Sequence, residues 1–284
     1  MYSFYEYLAF FVIYALSLIH ILCIHDLTKV FAPGTPNEHV ALDHLSLSLA
    51  SGEFVTVIGS NGAGKSTLFS AIGGSFWADS GAIFLDGKNI TYDPEHKRAA
   101  KIGRLFQDPM KGTAPHMTIE ENLALSYSRS QRRGLRLAVC RRDRDFFRSA
   151  LAEFDMGLED RMDTKVGLLS GGQRQALTLL MSTIVPPKLL LLDEHTAALD
   201  PATAEKVMAI TNQIIQKNRL TTMMITHNIQ SALSSGSRTV MMDSGKIILD
   251  LSGVEREKMT VAGLMELYRA KQHKELDNDR MLLV

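Results

Sequence analysis

The sequence predicts an α/β protein built on a mainly parallel sheet, and three observations carry that expectation. Residues 54–58 form a short, continuously apolar run that passes straight into a glycine-rich loop and then into a helical pattern from Lys65. Residues 188–192 and 222–225 are two more runs of strand length, apolar apart from Lys188 and Thr222, and read as buried strands. Helical patterns alternate with these runs, which is the order expected when crossover helices cover a parallel sheet.

Composition allows such a core. The chain has 284 residues, 45% hydrophobic and 22% charged with 8 prolines, which suits one large globular domain or two small ones. Disordered, collagen-like and polytopic membrane classes are excluded. Thirty-one basic and 31 acidic residues cancel, so no global field draws the chain to nucleic acid, and no nucleic-acid partner is expected. The two cysteines, Cys23 and Cys140, form neither a disulfide framework nor a metal cluster, which points to a reducing compartment.

The first element is the odd one. Residues 8–24 are apolar except for Ser17 and His20, and no Lys or Arg precedes Lys29. The run is slightly under the roughly 18–20 residues of a span, and it lacks a basic n-region and a small-residue cleavage site. Leu22, Ile24 and Leu27 also belong to an opening strand over 22–31, leaving about a dozen apolar residues, too few to cross a bilayer. Residues 1–20 are therefore set apart as an extension, either an anchor or appended sequence. Were they to insert, the basic residues that follow would keep the domain in the cytosol.

A turn cluster over 32–38 leads to alternating Leu42, Leu45, Leu47 and Leu49, a second β segment. After the first helix, residues 82–85, the Asp86-Gly87 turn and Ile90 read as a hairpin, and 102–106 as a strand. Thr118 and Glu121 stand at capping-box spacing before a helix. Residues 129–148 carry eight arginines against Asp143 and Asp145, a local balance of +6. A solvated helical face is the ordinary reading of such a run; a surface facing anionic lipid is the alternative. Beyond them come a helix over 202–217, a hairpin over 240–251 turning at Asp243-Ser244-Gly245, and a last helix over 261–272.

Two motifs carry chemistry. Gly59-Ser60-Asn61-Gly62-Ala63-Gly64-Lys65-Ser66 matches G-x-x-x-x-G-K-[ST] at a junction of strand and helix. Its glycines allow a tight bend in which N–H groups from Gly62 to Thr67 converge on phosphate oxygens at the positive end of the helix. Lys65 adds a point charge toward the β- and γ-phosphates, and the Ser66 hydroxyl suits Mg²⁺. The second motif is the apolar strand ending in Asp193 and Glu194, where an open parallel sheet places its ligand groups. Neighbouring side chains on a strand point opposite ways, so the two acids take different roles: Asp193 toward the Mg²⁺ shell, Glu194 toward a water facing the γ-phosphate.

Leu169-Ser170-Gly171-Gly172-Gln173, just ahead of the acidic strand, resembles the signature of ABC-transporter ATPase subunits. The motif order agrees: Gln107 resembles the Q-loop glutamine, Asp200 the D-loop aspartate and His227 the switch histidine, while Phe31 stands where an aromatic stacks on adenine. The resemblance covers about 22–268. It implies the P-loop ABC-ATPase fold with an N-terminal antiparallel β-subdomain, a helical subdomain inserted at about 108–178, and a polar tail over 269–284.

The resemblance also implies a mechanism. Two ATPase subunits, expected to be identical, meet head to tail, with Ser170, Gly171, Gly172 and Gln173 of one facing ATP held by the partner's Lys65. Glu194, His227, Lys65 and Gln107 would carry hydrolysis, with Ser66, Gln107 and Asp193 around Mg²⁺. Such a subunit works on the cytoplasmic face of the membrane as a peripheral protein, with a separate permease and, indirectly, a solute-binding protein. The stretches around Gly59, Ser170 and Asp193 look most like ATPase subunits of bacterial uptake systems of the amino-acid type. An exporter subunit and a non-transport ABC ATPase are the alternatives.

Overall fold

The computed structural model describes residues 20–129 and 140–281. The extension over 1–20, apart from His20, and residues 130–139 of the arginine-rich stretch lie outside the described residues. Two compact units divide the described residues: one comprises residues 20–72, 76–91 and 223–281, the other residues 73–75, 92–129 and 140–222. The second unit therefore takes in the 108–178 segment together with strands and a helix on either side of it.

In the first unit, β1 (His20–Phe31) pairs antiparallel with both β2 (His39–Ala50) and β4 (Ser80–Leu85), and the short β5 (Lys88–Asn89) closes the order β2-β1-β4-β5. Leu22, Ile24 and Leu27 of β1 bury their side chains with Leu42, Leu45, Leu47 and Leu49 of β2. The spacing from Leu42 to Leu45 breaks strict alternation. The structure shows why: register shifts lie between Ile24 and Leu27 and between Leu27 and Lys29, with Asp26 and His44 both in the left-handed region. The Asp26 carboxylate and His44 Nδ1 meet at 2.8 Å, and the Asp26 N–H donates to Ser46 Oγ, so side chains satisfy groups that the ladder drops.

The same unit holds β3 (Phe54–Gly59), α1 (Lys65–Gly73, through Ile72), β8 (Thr222–Ile225, from Met223), α7 (Ile229–Ser234), β9 (Arg238–Asp243), β10 (Lys246–Ser252), α8 (Gly253–Glu257) and α9 (Val261–Met281). The strand order is β10-β9-β3-β8. β3 runs parallel to β9, and β9 and β10 form the expected hairpin through Ser244 and Gly245, both at positive φ. Ile58, Ala232, Met241, Leu251 and Leu264 make one apolar cluster. Buried Arg256 ties α8 into it, donating to Thr239 Oγ1 and to the Ala232 and Ser235 carbonyls. α9 continues to Met281, past the residue-272 limit read from the sequence, since no Gly or Pro interrupts the polar stretch.

In the second unit, β6 (Ile102–Leu105) and β7 (Leu189–Asp193) pair in parallel. Around them lie α2 (Glu95–Arg98), α3 (Ile119–Ser128), α4 (Arg141–Ala152), α5 (Gly171–Thr183) and α6 (Pro201–Asn218). Thr118 and Glu121 form the expected capping box at the start of α3. α5 is buried on nearly every side and packs on α3, α4, α6 and β6. The arginine-rich stretch divides. Arg129 is built into the unit, donating to the Ser126 and Met181 carbonyls, and Arg144 pairs with Glu120 and Asp163; Arg141, Arg142 and Arg148 face solvent. Among the described residues no helix is long and apolar enough to cross a membrane.

Candidate active site

Steric demands of the backbone shape the phosphate loop of the first unit. Gly59 has φ +151° and Gly64 φ +94°; a Cβ on Gly59 would collide with the Met242 carbonyl oxygen, and one on Gly64 with that of Ala41. Only glycine fits positions that combine this dihedral with so close a carbonyl. The loop is laced to its neighbours by Gly245 N–H to Ala63 C=O at 3.1 Å and by Ser60 Oγ to Asp243 Oδ1 at 3.2 Å. Lys65 is buried, and its Nζ donates to the Gly59 and Ser60 carbonyls at 2.8 Å each, folding the ammonium back over the loop.

A helix leaves the N–H groups of its first turn to outside acceptors. Here Ser66 and Thr67 lie ahead of the first ladder bond, from Leu68 N–H to the Gly64 carbonyl. One expected donor is spent inside the loop, because Ala63 N–H donates to Ser60 C=O at 3.3 Å. Asn61 and Gly62 are exposed, and a Cβ on Gly62 would meet nothing within 4 Å.

Phe31, 40% exposed at the end of β1, is backed edge-on by Phe76, with ring centroids 5.5 Å apart. Lys29 Nζ stands 5.6 Å from the Phe31 centroid and donates to Asp79 at 2.9 Å, while the other Asp79 oxygen accepts from Val30 N–H at 2.7 Å. These two bonds, the backbone one first, hold the Asp79 carboxyl below its usual range. Sequence reasoning found Phe31 but not Phe76, Lys29 or Asp79. The linkage joins residues about 50 positions apart, and no local pattern announces it. His227 is exposed just beyond β8, where Thr226 N–H donates to the Val57 carbonyl and sets the start of the turn against β3.

In the second unit, Ser170 N-caps α5, its Oγ accepting from Gln173 N–H and its N–H donating to Gln173 Oε1, both at 3.3 Å. The S-x-x-Q spacing inside the signature is thus a capping box. The Ser170 hydroxyl accepts within the box and keeps its proton for an outside acceptor. Gln173 is occupied more fully, since its Nε2 donates to the Met156 carbonyl at 3.2 Å. Gly171 is exposed, whereas Gly172 is buried, and a Cβ there would strike the Thr203 side chain on α6. Arg174 Nη2 donates to the Leu169 carbonyl at 2.9 Å, bracing the approach to the cap.

Asp193 ends β7 and Glu194 follows it, both partly exposed. Glu194 has φ +46°, a left-handed backbone seldom held by a side chain of this size. Asp200 caps α6, its Oδ1 accepting from Thr203 N–H at 3.0 Å, and hydrogen bonding from Thr203, from its side chain first and then from its backbone, lowers the pKa of the Asp200 carboxyl. Gln107 is exposed beyond β6. Arg104 on that strand was not foreseen. Burial lowers the pKa of its guanidinium, while the charges of Asp193 and Glu95 act in the opposite direction.

A family model described as ABC transporter matches residues 42–197. A tyrosine transport ATP-binding protein from Clostridioides difficile is 42% identical over 246 residues, covering 86% of this chain and 97% of that one. The chain belongs to the ABC transporter ATPase family. A methionine import ATP-binding protein from Corynebacterium efficiens is 34% identical over 226 residues, 78% of this chain and 60% of the relative. Among solved structures, a nucleotide-free ATP-binding cassette from an ABC transporter superposes with TM-score 0.71 at 27% identity, covering 88% of this chain and 98% of that one. The dimeric post-hydrolysis state of an ATP-binding cassette bound to ADP and Pi gives 0.70 at 27% identity, covering 81% and 98%. This ABC ATPase therefore has the P-loop cassette fold, binds nucleotide and hydrolyses ATP.

Proposed function

We propose that this ATPase drives uptake of an amino acid or a related small solute from the cytoplasmic face of the membrane, with Glu194 activating the attacking water. It energises solute import through a separate permease, paired with a second ATPase subunit. The observation that supports the amino-acid reading is the 42% identity, sustained over 97% of its length, to a relative named for tyrosine transport.

The chain's own residues divide the work. The Gly59–Thr67 loop and Lys65 would hold the phosphates, Phe31 would stack on adenine, and Ser170 with the Gly171 and Gly172 N–H groups would meet the γ-phosphate held by the partner's loop. His227 and Gln107 would complete the γ-phosphate surroundings. Gln173 and Asp200 serve this site through the helix starts they cap. Mg²⁺ fits the donors available, since the Ser66 hydroxyl, the Asp193 carboxylate and the Gln107 amide oxygen are hard oxygen ligands; when bound it would neutralise phosphate charge.

Two measurements test the reading. Glu194→Gln is expected to keep MgATP affinity, accumulate as a nucleotide-trapped dimer and lose turnover by on the order of 100-fold or more, the usual weight of a general base; undiminished turnover removes Glu194 from that role. For the solute, the chain is reconstituted with its permease and solute-binding protein in proteoliposomes. Stimulation of ATPase by an amino acid supports the reading, and stimulation only by solutes of another class overturns it.

A further inference from the structure

His195 follows the acidic pair directly, and nothing in the roles assigned above uses it. It is only 3% exposed, although Glu194 before it and Thr196 after it are both partly exposed. Its Nε2 lies 3.2 Å from Thr211 Oγ1, on the buried side of α6, and Thr211 is fully buried. The Thr211 hydroxyl donates its single proton to the Val207 carbonyl at 2.8 Å. Its oxygen can then only accept from His195, which fixes the ring as the neutral Nε2–H tautomer. Burial is the cause that lowers its pKa to about 4, so the ring stays neutral at ordinary pH.

This anchor adjoins a strained residue. A left-handed backbone at φ +46° is unfavourable for a glutamate, and such a residue persists only where its surroundings over-determine it. Upstream, Leu189 to Leu192 of β7 are fully buried and fix the chain up to Asp193. Downstream, Ala197 N–H donates to the Glu194 carbonyl at 3.0 Å and Leu199 N–H to that of Thr196 at 3.2 Å, a tight turn ending at the Asp200 cap. The side chain that holds this turn down into the unit, next to Glu194 itself, is His195.

We infer that His195 is a positioning residue for hydrolysis: its bond to Thr211 pins the turn after β7 to α6 and holds Glu194 in the left-handed backbone from which its carboxylate meets the attacking water. The inference rests on the reading of Glu194 as the activating base. An apolar residue of similar size would fill the same space without fixing the distance to α6. Because Thr211 already donates within its own helix, removing the imidazole leaves no buried proton without an acceptor, so His195→Leu is compatible with folding.

Steady-state ATPase of the full chain tests this through three variants beside Glu194→Gln. His195→Leu is expected to lower kcat at least tenfold, with KM for MgATP and fluorescent-nucleotide affinity within twofold. His195→Gln, which keeps an N–H donor, is expected to recover most of kcat, a rescue that loss of packing alone would not show. Thr211→Val, which removes the acceptor, should reproduce the His195→Leu loss and supplies the test if that variant does not fold. A kcat within twofold of the parent in His195→Leu or Thr211→Val, or no advantage of Gln over Leu, overturns the inference. If Glu194→Gln is inactive while His195→Leu is fully active, the positioning role fails and the base assignment stands; if Glu194→Gln keeps full turnover, the base assignment fails and the inference with it.

Discussion

The phosphate loop of the first unit and the signature with its neighbouring acidic turn in the second are both glycine-marked or acid-marked motifs at an element end, yet they hold their shape by different physics. In the loop, backbone meets backbone: Gly59 and Gly64 sit against carbonyl oxygens that cannot move without moving β9 or β2. In the second unit, side chains do the holding. Ser170 and Gln173 cap α5, Asp200 caps α6, and His195 anchors the turn between β7 and α6. Steric walls fail abruptly, whereas hydrogen-bonded caps and anchors fail by degrees of about 1 kcal/mol each.

The largest effect expected from this contrast lies in the loop. Gly64→Ala places a methyl group against the Ala41 carbonyl at a φ that L residues rarely adopt, a strain of at least about 3 kcal/mol that no rotamer relieves. MgATP affinity should fall by roughly 100-fold, since about 1.4 kcal/mol is worth tenfold. Gly62→Ala, with φ +85° but open space around the new Cβ, incurs only the dihedral cost and should lose roughly tenfold. Isothermal titration of both variants checks the order; equal losses would mean that dihedral strain, and not the wall, sets the loop.

A smaller effect follows from the buried imidazole. In the unfolded chain His195 takes up a proton near pH 6.5, while in the fold it does so only near pH 4, because burial disfavours the charged ring. The unfolded state thus binds more protons between these values, so stability is full above pH 6.5 and declines as pH falls toward 4, by about 3 kcal/mol in all. Thermal unfolding of the parent and of His195→Gln, followed from pH 7.5 to 5, should show the parent losing stability more steeply. Parallel curves would mean that the ring titrates in the fold as it does in water.

How much of this was legible beforehand follows the same division. Alternation and apolar runs locate β1, β2, β3, β7 and β8, because burial on a sheet has a fixed period. Motif spacing locates Lys65, Ser170 and Glu194, because phosphate loops and caps are local devices. The shift between Leu42 and Leu45 reads as noise until the left-handed Asp26 and His44 explain it. Phe76 and Asp79 beside Phe31 and Arg104 near Asp193 depend on contacts between distant segments, which no window of sequence contains. His195 on Thr211, 16 positions apart, depends on how the turn after β7 folds back onto α6, which no local pattern marks. Gln173 is the instructive intermediate. Its spacing from Ser170 is that of a capping box, and the family signature conceals an ordinary helix start.

That double identity gives the smallest and most discriminating expectation. Thr118 with Glu121, and Ser170 with Gln173, are two capping boxes in the same unit, built from the same kinds of bonds. Losing a cap hydroxyl costs about 1 kcal/mol wherever it occurs, so Thr118→Ala and Ser170→Ala should lower the unfolding midpoint alike, by roughly 2–4 °C. Only Ser170 is read as also offering its remaining proton to the γ-phosphate. Turnover should therefore be unchanged in Thr118→Ala and reduced several-fold in Ser170→Ala, beyond anything a shared stability loss explains. Equal turnover at equal destabilisation would reduce the signature serine to a helix cap and leave phosphate contact to the Gly171 and Gly172 N–H groups. A larger stability loss in Ser170→Ala than in Thr118→Ala would show instead that the bond from Gln173 to the Met156 carbonyl depends on the cap, making the box and that contact one cooperative unit.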